Sequence, residues 1–171
     1  DARFAEGDKP EASEKLIDHK TKAIYLETIG NPGFNIPDFE AIAALARKHD
    51  LPLIVDNTFG AAGYIFRPLE HGGDVVIHSA TKFLNGHHDM IGGVVCGTTP
   101  YIDEVRRKMT LWGQAPDPFS TWLLERGLKT LELRLARQNE SAMRIAQWCE
   151  ARKEVRKVSY LGLPSHTDHQ F

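Results

Sequence analysis

Three short apolar runs, each stopping abruptly at polar residues, constrain this chain more than any other feature. They are "KAIYLET" at 22–28, "LPLIV" at 51–55 running into Asp56-Asn57-Thr58, and "DVVIH" at 74–78 running into Ser79 to Lys82. A continuous apolar run of this length, rather than an alternating one, fits a strand covered on both faces. Between the first two runs, "PDFEAIAALARKHD" sets Phe39, Ile42, Ala43, Leu45 and Ala46 on one helical face. Its acids come early and its bases late, as the helix dipole favours. Strand, amphipathic helix and buried strand in that order predict an α/β unit with a mostly parallel sheet flanked by helices.

Other segments fill in the outline. Asn31-Pro32-Gly33 is a turn signal, and "IGGVVC" at 91–96 reads as a further strand of the same kind. Asp117-Pro118 combines a helix cap with proline at the first helical position. From Phe119 to about Lys153, Leu128, Leu131, Leu135, Ile145 and Trp148 recur at helical spacing, with a break or bend expected at Gly127. That apolar stripe is expected to be core or subunit interface. The final "EVRKVSYLGLP" reads as a strand and turn opening a second domain, so residues 1–153 are assigned to one domain and 154–171 to the start of another. The chain opens on Asp1 without an initiator methionine and is expected to be truncated at both ends.

Composition limits the partners. A net charge of −2 and a pI near 6.5, with bases and acids interleaved, argue against nucleic acid or an anionic membrane surface. No apolar stretch approaches a membrane span. The two cysteines, Cys96 and Cys149, have no metal-ligand spacing and fit a reducing, cytoplasmic setting.

Open α/β sheets bind ligands just beyond the carboxyl ends of their strands. Here those ends carry Glu27 with Asn31 after a turn, then Asp56, then Ser79, Thr81 and Lys82. A lysine following a buried strand is costly to bury unpaired. Pyridoxal 5′-phosphate makes one set of demands that all these residues meet. It needs an amine for a Schiff base, a carboxylate beside its ring nitrogen and hydroxyls for its phosphate. Lys82 and Asp56 suit the first two tasks. Ser79 and Thr81, alternating along an extended segment, would point their hydroxyls to one side.

At these residues a resemblance becomes specific. "ETIGNP", "VDNTFG", "RPLEHGGDVVIHSATKFLNGHHDMIGGVV", "LLERGLKTLELR" and "GLPSH" resemble the transsulfuration (Cys/Met metabolism) group of PLP-dependent enzymes. The resemblance runs from about Lys22 to His166. It implies the aspartate-aminotransferase-like fold (fold type I), with this chain as part of its PLP-binding large domain. It implies Lys82 as the Schiff-base lysine, Asp56 at the pyridine nitrogen, and Ser79 and Thr81 on the phosphate. Asn31 would contact the cofactor's phenolic oxygen or the substrate carboxylate, and Glu27 would hold that loop.

The implied activity is γ-replacement or γ-elimination at Cγ of homoserine-derived substrates. Cystathionine, O-acylhomoserine, cysteine and sulfide are the implied small molecules. A homotetramer of close dimers is the implied assembly. "TKFLNGHHDMIGG" resembles the cystathionine γ-synthase and γ-lyase branch, whereas "ETIGNP" and "DNTFGAAGY" resemble O-acetylhomoserine sulfhydrylases. Methionine γ-lyase belongs to the same set of alternatives. In such enzymes a glycine-rich phosphate loop and a ring-stacking tyrosine are expected before Asp1, and a carboxylate-binding arginine after Phe171.

Rival patterns are weaker. "SATK" matches the S-x-x-K of penicillin-binding enzymes, but neither S-D-N nor K-T-G accompanies it. His87, His88 and Asp89 lack a further ligand at helical spacing, so no metal is expected. Gly92-Gly93 belongs to no phosphate-loop motif and reads as room for close backbone approach. A folded fragment or assembly subunit without activity is the non-enzyme alternative.

Overall fold

The computed structural model describes residues 1–7 and 9–169. A single turn of helix, α1 (Pro10–Glu14), precedes strand β1 (Ile24–Glu27). Helix α2 (Phe39–Lys48) then leads to β2 (Leu53–Asp56). Two 3₁₀ turns, Ala61–Gly63 and Pro68–His71, lead to β3 (Val75–Ser79) and β4 (Gly93–Gly97). Three helices close the chain: α3 (Thr99–Trp112), α4 (Pro118–Leu128) and α5 (Leu131–Glu150).

The strands form one sheet in the order β1-β2-β3-β4. Its first two pairings are parallel, with Glu27 beside Asp56 and Asp56 beside Ile77. The third is antiparallel and pairs Ser79 with Gly93. The carboxyl ends of β1, β2 and β3 therefore share one edge with the amino end of β4. Polar residues separated by dozens of positions in sequence meet along it.

Helix α2 forms as its pattern predicts. Asp38 caps it by accepting from the Ala41 N–H at 3.1 Å, and all five expected face residues are buried. Phe39, Ile42, Ala43 and Ala46 pack with Leu53 and Val55 into one cluster, flanked by Ile24, Leu26 and Phe66. Each large side chain so buried contributes about 1.5–3 kcal/mol. This cluster sits behind the sheet edge and anchors β1 and β2.

The structure departs from the sequence pattern at four points. The strand expected at 91–96 lies at Gly93–Gly97, runs antiparallel and is half exposed rather than buried. A parallel return needs a crossover to the opposite edge, and no helix lies between β3 and β4 to make one. The interruption of the long helical stretch falls at Lys129 and Thr130, while Gly127 lies inside α4 and is buried. Helix α3 escaped the sequence reading because its apolar stripe is only Ile102, Val105 and Met109. Ion pairs such as Arg107–Glu104 at 2.8 Å support its exposed side.

The fourth correction concerns the expected strand within "EVRKVSYLGLP". No strand of the sheet pairs with it, so its backbone has no ladder partner. It instead reaches a turn in which the Leu163 N–H donates to the Tyr160 carbonyl, with Leu163 buried. The segment 154–171 is described to residue 169, and its last two residues lie outside the described set. The apolar stripe of α4 and α5 is split. Leu135 and Ala146 are buried, whereas Leu128, Ile145 and Trp148 are exposed.

Candidate active site

The end of β3 continues into a tight turn over residues 80–86. The Lys82 N–H donates to the Ser79 carbonyl at 3.2 Å, the Asn85 N–H to Ala80 at 3.0 Å, and the Gly86 N–H to Lys82 at 2.8 Å. The turn removes the extended alternation that was expected to align Ser79 with Thr81. Ser79 ends the strand, and Thr81 lies in the turn. The Thr81 hydroxyl reaches across to Gly92, just before β4, accepting from its N–H at 3.1 Å and donating to its carbonyl at 3.3 Å. Lys82, next after Thr81, is exposed, and its amine has no hydrogen-bond or ion-pair partner among the described residues.

Lys82 opens into a cleft of about 920 Å³ whose wall also carries Asn31, Thr58 and Thr81. Phe59 and Phe83 meet edge to face on the same wall, with ring centroids 5.9 Å apart. Three expected residues, Asp56, Ser79 and Glu27, are not on the wall itself. Each is joined to it by one hydrogen-bonded step. The Asn31 N–H donates to Glu27 Oε2 at 2.9 Å. The Thr58 hydroxyl donates to Asp56 Oδ1 at 2.6 Å and accepts from the Ser79 N–H at 2.8 Å.

Asp56 is the most fully bonded of these groups. Its Oδ1 accepts from both the N–H and the hydroxyl of Thr58, and its Oδ2 accepts from the Tyr25 hydroxyl at 3.2 Å. Burial, and then the neighbouring Asp56 charge, push the Tyr25 hydroxyl up to about 12. Tyr25 therefore stays protonated near neutrality and serves as a donor. Next to Asp56, Asn57 is buried and accepts from the Thr28 hydroxyl at 2.6 Å while donating to the Phe66 carbonyl at 2.9 Å. It ties β1 to the loop after β2 and so holds the Asp56–Thr58 corner. On the adjoining strand, burial holds the His78 imidazole below its usual range, and its Nδ1 has no partner among the described residues.

Thr58 and Tyr25 escaped the sequence reading. Thr58 stands in "VDNT", where it looks like turn chemistry, and Tyr25 sits in a strand where an aromatic needs no special explanation. Neither carries a local signal that it will bond to Asp56. Arg134 was missed for the same reason, although it also lines the cleft.

His87 and Asp89, beyond the turn, have structural partners. His87 Nδ1 lies 2.6 Å from the Asn85 carbonyl, and Asp89 accepts from the Asn85 amide at 2.8 Å. Among the described residues no group of three or more His, Cys, Asp or Glu side chains could hold a metal, and no helix is long and apolar enough to cross a membrane.

The arrangement can hold a planar, anionic cofactor. It offers an unpaired amine, a carboxylate oriented by three hydrogen bonds, and hydroxyls at the adjoining strand end. That donor set matches the aldehyde, ring nitrogen and phosphate of pyridoxal phosphate.

Comparison with known proteins agrees with this chemistry. Residues 1–171 match the family described as Cys/Met metabolism PLP-dependent enzyme. The homocysteine/cysteine synthase of Saccharomyces cerevisiae is 42% identical over 99% of this chain and 46% of its own length. The cystathionine gamma-lyase of Bos taurus is 40% identical over 98% of this chain and 42% of its own. The crystal structure of cystathionine gamma-lyase from Lactobacillus plantarum complexed with L-serine superposes with a TM-score of 0.89 at 42% identity. It is matched over 95% of this chain and 43% of that one. The chain thus spans less than half the length of these relatives.

Proposed function

Because this chain belongs to the Cys/Met metabolism family of PLP-dependent enzymes, we propose that the full-length protein acts at Cγ of homoserine-derived amino acids. The reaction is γ-replacement or γ-elimination, of the cystathionine γ-synthase or γ-lyase type. One observation carries this reading: the unpaired Lys82 amine opens into a cleft whose wall is hydrogen-bonded to Asp56 through Thr58.

Pyridoxal phosphate supplies an aldehyde that condenses with an amine and a protonated ring that withdraws electrons from the substrate Cα. The chain's residues supply the rest. Asp56, held by Thr58 and Tyr25, would be the carboxylate that pairs with the ring nitrogen. Ser79, whose hydroxyl makes no hydrogen bond among the described residues, is a free donor for the phosphate. Thr81 can join it by turning its hydrogen away from Gly92, at the cost of one long bond. Asn31, on the cleft wall and braced by Glu27, would contact the cofactor's phenolic oxygen or the substrate carboxylate. Lys82, unpaired, is the base that takes the proton from substrate Cα.

A sulfhydrylase reaction is the second reading, favoured by the similarity to yeast homocysteine/cysteine synthase. Methionine γ-lyase activity is a third, consistent with relatives of that name. The protein is proposed to be cytoplasmic, which fits its two free thiols. It is further proposed to form a homo-oligomer. Exposed aromatics on α3 to α5, including Trp112, Phe119, Trp122 and Trp148, supply apolar surface for subunit contact. The segment 154–171 is proposed to lead into a C-terminal domain.

The test is spectroscopic and then chemical. Purified full-length protein should take up pyridoxal phosphate with a visible absorbance band. Lys82→Ala should abolish that band and lower turnover at least about 100-fold. Protein that stays colourless with added cofactor would refute the reading. Release of an oxo acid from cystathionine without added thiol marks a lyase. Consumption of O-acylhomoserine only with cysteine marks a synthase, and consumption only with sulfide marks a sulfhydrylase.

A further inference from the structure

We propose that Arg134, on α5, is a positioning residue that clamps the turn carrying Lys82 and so aims the lysine amine into the cleft. The inference rests on the cofactor reading of Lys82 given above. The sheet side holds the turn before Lys82, through Ser79 and through the Thr81–Gly92 bonds. Downstream, three backbone carbonyls converge on one guanidinium. Arg134 Nη1 donates to the Phe83 carbonyl at 3.1 Å, and Nη2 donates to Gly127 at 2.9 Å and to Leu84 at 3.5 Å. Its Nε donates to the Thr130 hydroxyl at 3.1 Å. Phe83 and Leu84 directly follow Lys82, while Gly127 and Thr130 belong to α4 and its junction with α5. One side chain therefore fastens the lysine turn to both helices.

Two glycines make the fit possible. Gly86 has φ +73°, and a Cβ there would lie 2.1 Å from Arg134 Nη1 and 2.4 Å from its Cζ. Gly127 presents a bare backbone to Asn85, whose carbonyl oxygen would be 2.3 Å from a Cβ. The turn is thus gripped from two sides, and its buried members Leu84 and Asn85 fill the space between.

Arg134 also lines the cleft, which invites a rival role as a binder of phosphate or carboxylate. Four of its donor bonds are already committed to the protein, and a guanidinium has five N–H groups. It has little left for a ligand. The planar fork suits three carbonyls at once, which a lysine ammonium on its flexible stem cannot match.

The full-length protein, its Arg134→Lys variant and its Gly86→Ala variant should be compared in three ways. Amide exchange at residues 83–86 should be at least about tenfold faster in both variants, with β1 to β3 protected as before. Incorporation of pyridoxal phosphate at Lys82, trapped by borohydride and located by peptide mass, should slow by about tenfold or more. Turnover should fall by about 10- to 100-fold with the substrate KM little changed, as loss of orientation predicts.

Wild-type labelling rate together with wild-type protection in Arg134→Lys would overturn the proposal. So would loss of protection across β1 to β3 in both variants, because Arg134 would then be a general support of the fold. If wild-type Lys82 takes no label, the cofactor reading fails, and the exchange comparison still decides whether Arg134 holds the turn.

Discussion

Replacing Gly127 with alanine sets two effects of opposite sign against each other. Alanine in an exposed helix interior is favoured over glycine by about 1 kcal/mol, because glycine loses more backbone freedom on folding. Gly127 is buried in α4, however, and an added Cβ would sit 2.3 Å from the Asn85 carbonyl oxygen and 3.1 Å from its carbonyl carbon and Cα. Those neighbours are backbone, so α4 and the turn must separate by roughly 1 Å to restore ordinary contact. Overpacking of this kind costs about 1–3 kcal/mol.

Separation also strains the Arg134 bonds that tie Gly127, Phe83 and Leu84 together, each worth about 0.5–1.5 kcal/mol. The net expectation is a loss of about 1–3 kcal/mol. Urea unfolding followed by circular dichroism should show a lower midpoint at unchanged slope. A midpoint raised by the equivalent of about 1 kcal/mol would refute the close approach, since that is how a solvated helix glycine behaves. The same assay separates this packing role from the bend that the sequence pattern led us to expect there.

Thr58→Val keeps the side-chain shape but strips Asp56 of one donor and leaves the Ser79 N–H without its acceptor. Stability should fall by about 1–3 kcal/mol in urea unfolding, with Thr58→Ser recovering most of it; equal loss in both variants would count against the hydroxyl bridge. Burial holds the His78 imidazole below its usual range, so the unfolded chain takes up the proton first as pH falls. The resulting penalty is absent above about pH 6.5 and grows as pH falls through the window down to the folded-state value. The drop in unfolding free energy between pH 8 and about pH 5.5 should therefore be smaller in His78→Gln than in the parent, and parallel profiles would refute the assignment.

Much of the sheet edge was legible in advance because strands advertise themselves locally. A continuous apolar run followed by a polar break marks both a buried strand and its end. Glu27, Asp56 and Ser79 were thereby assigned to one edge before any contact was known. The five-residue face of α2 was equally plain, since helical periodicity, capping and charge order all agree there. The direction of β4 was not legible. "IGGVVC" has the composition of a strand, but its orientation depends on the path of the preceding connection. Helix α3 was hidden because its narrow stripe and ion-paired flanks resemble a solvated loop.

By itself, then, the amino-acid order determined the α/β class and the strand ends, and it offered Lys82, Asp56, Ser79, Thr81, Asn31 and Glu27 as candidates for cofactor chemistry. These are local properties, written in periodicity and in the residues at strand ends. Only the tertiary structure decided how those groups are held. It turned Thr81 toward Gly92, set Thr58 between Asp56 and Ser79, and brought Arg134 to carbonyls 50 and 51 residues away. It also made Gly127 a contact point rather than a break. The physical reason is that a hydrogen bond or a missing Cβ has meaning only against its partner. For these residues the partner lies on another element, where no local pattern points to it.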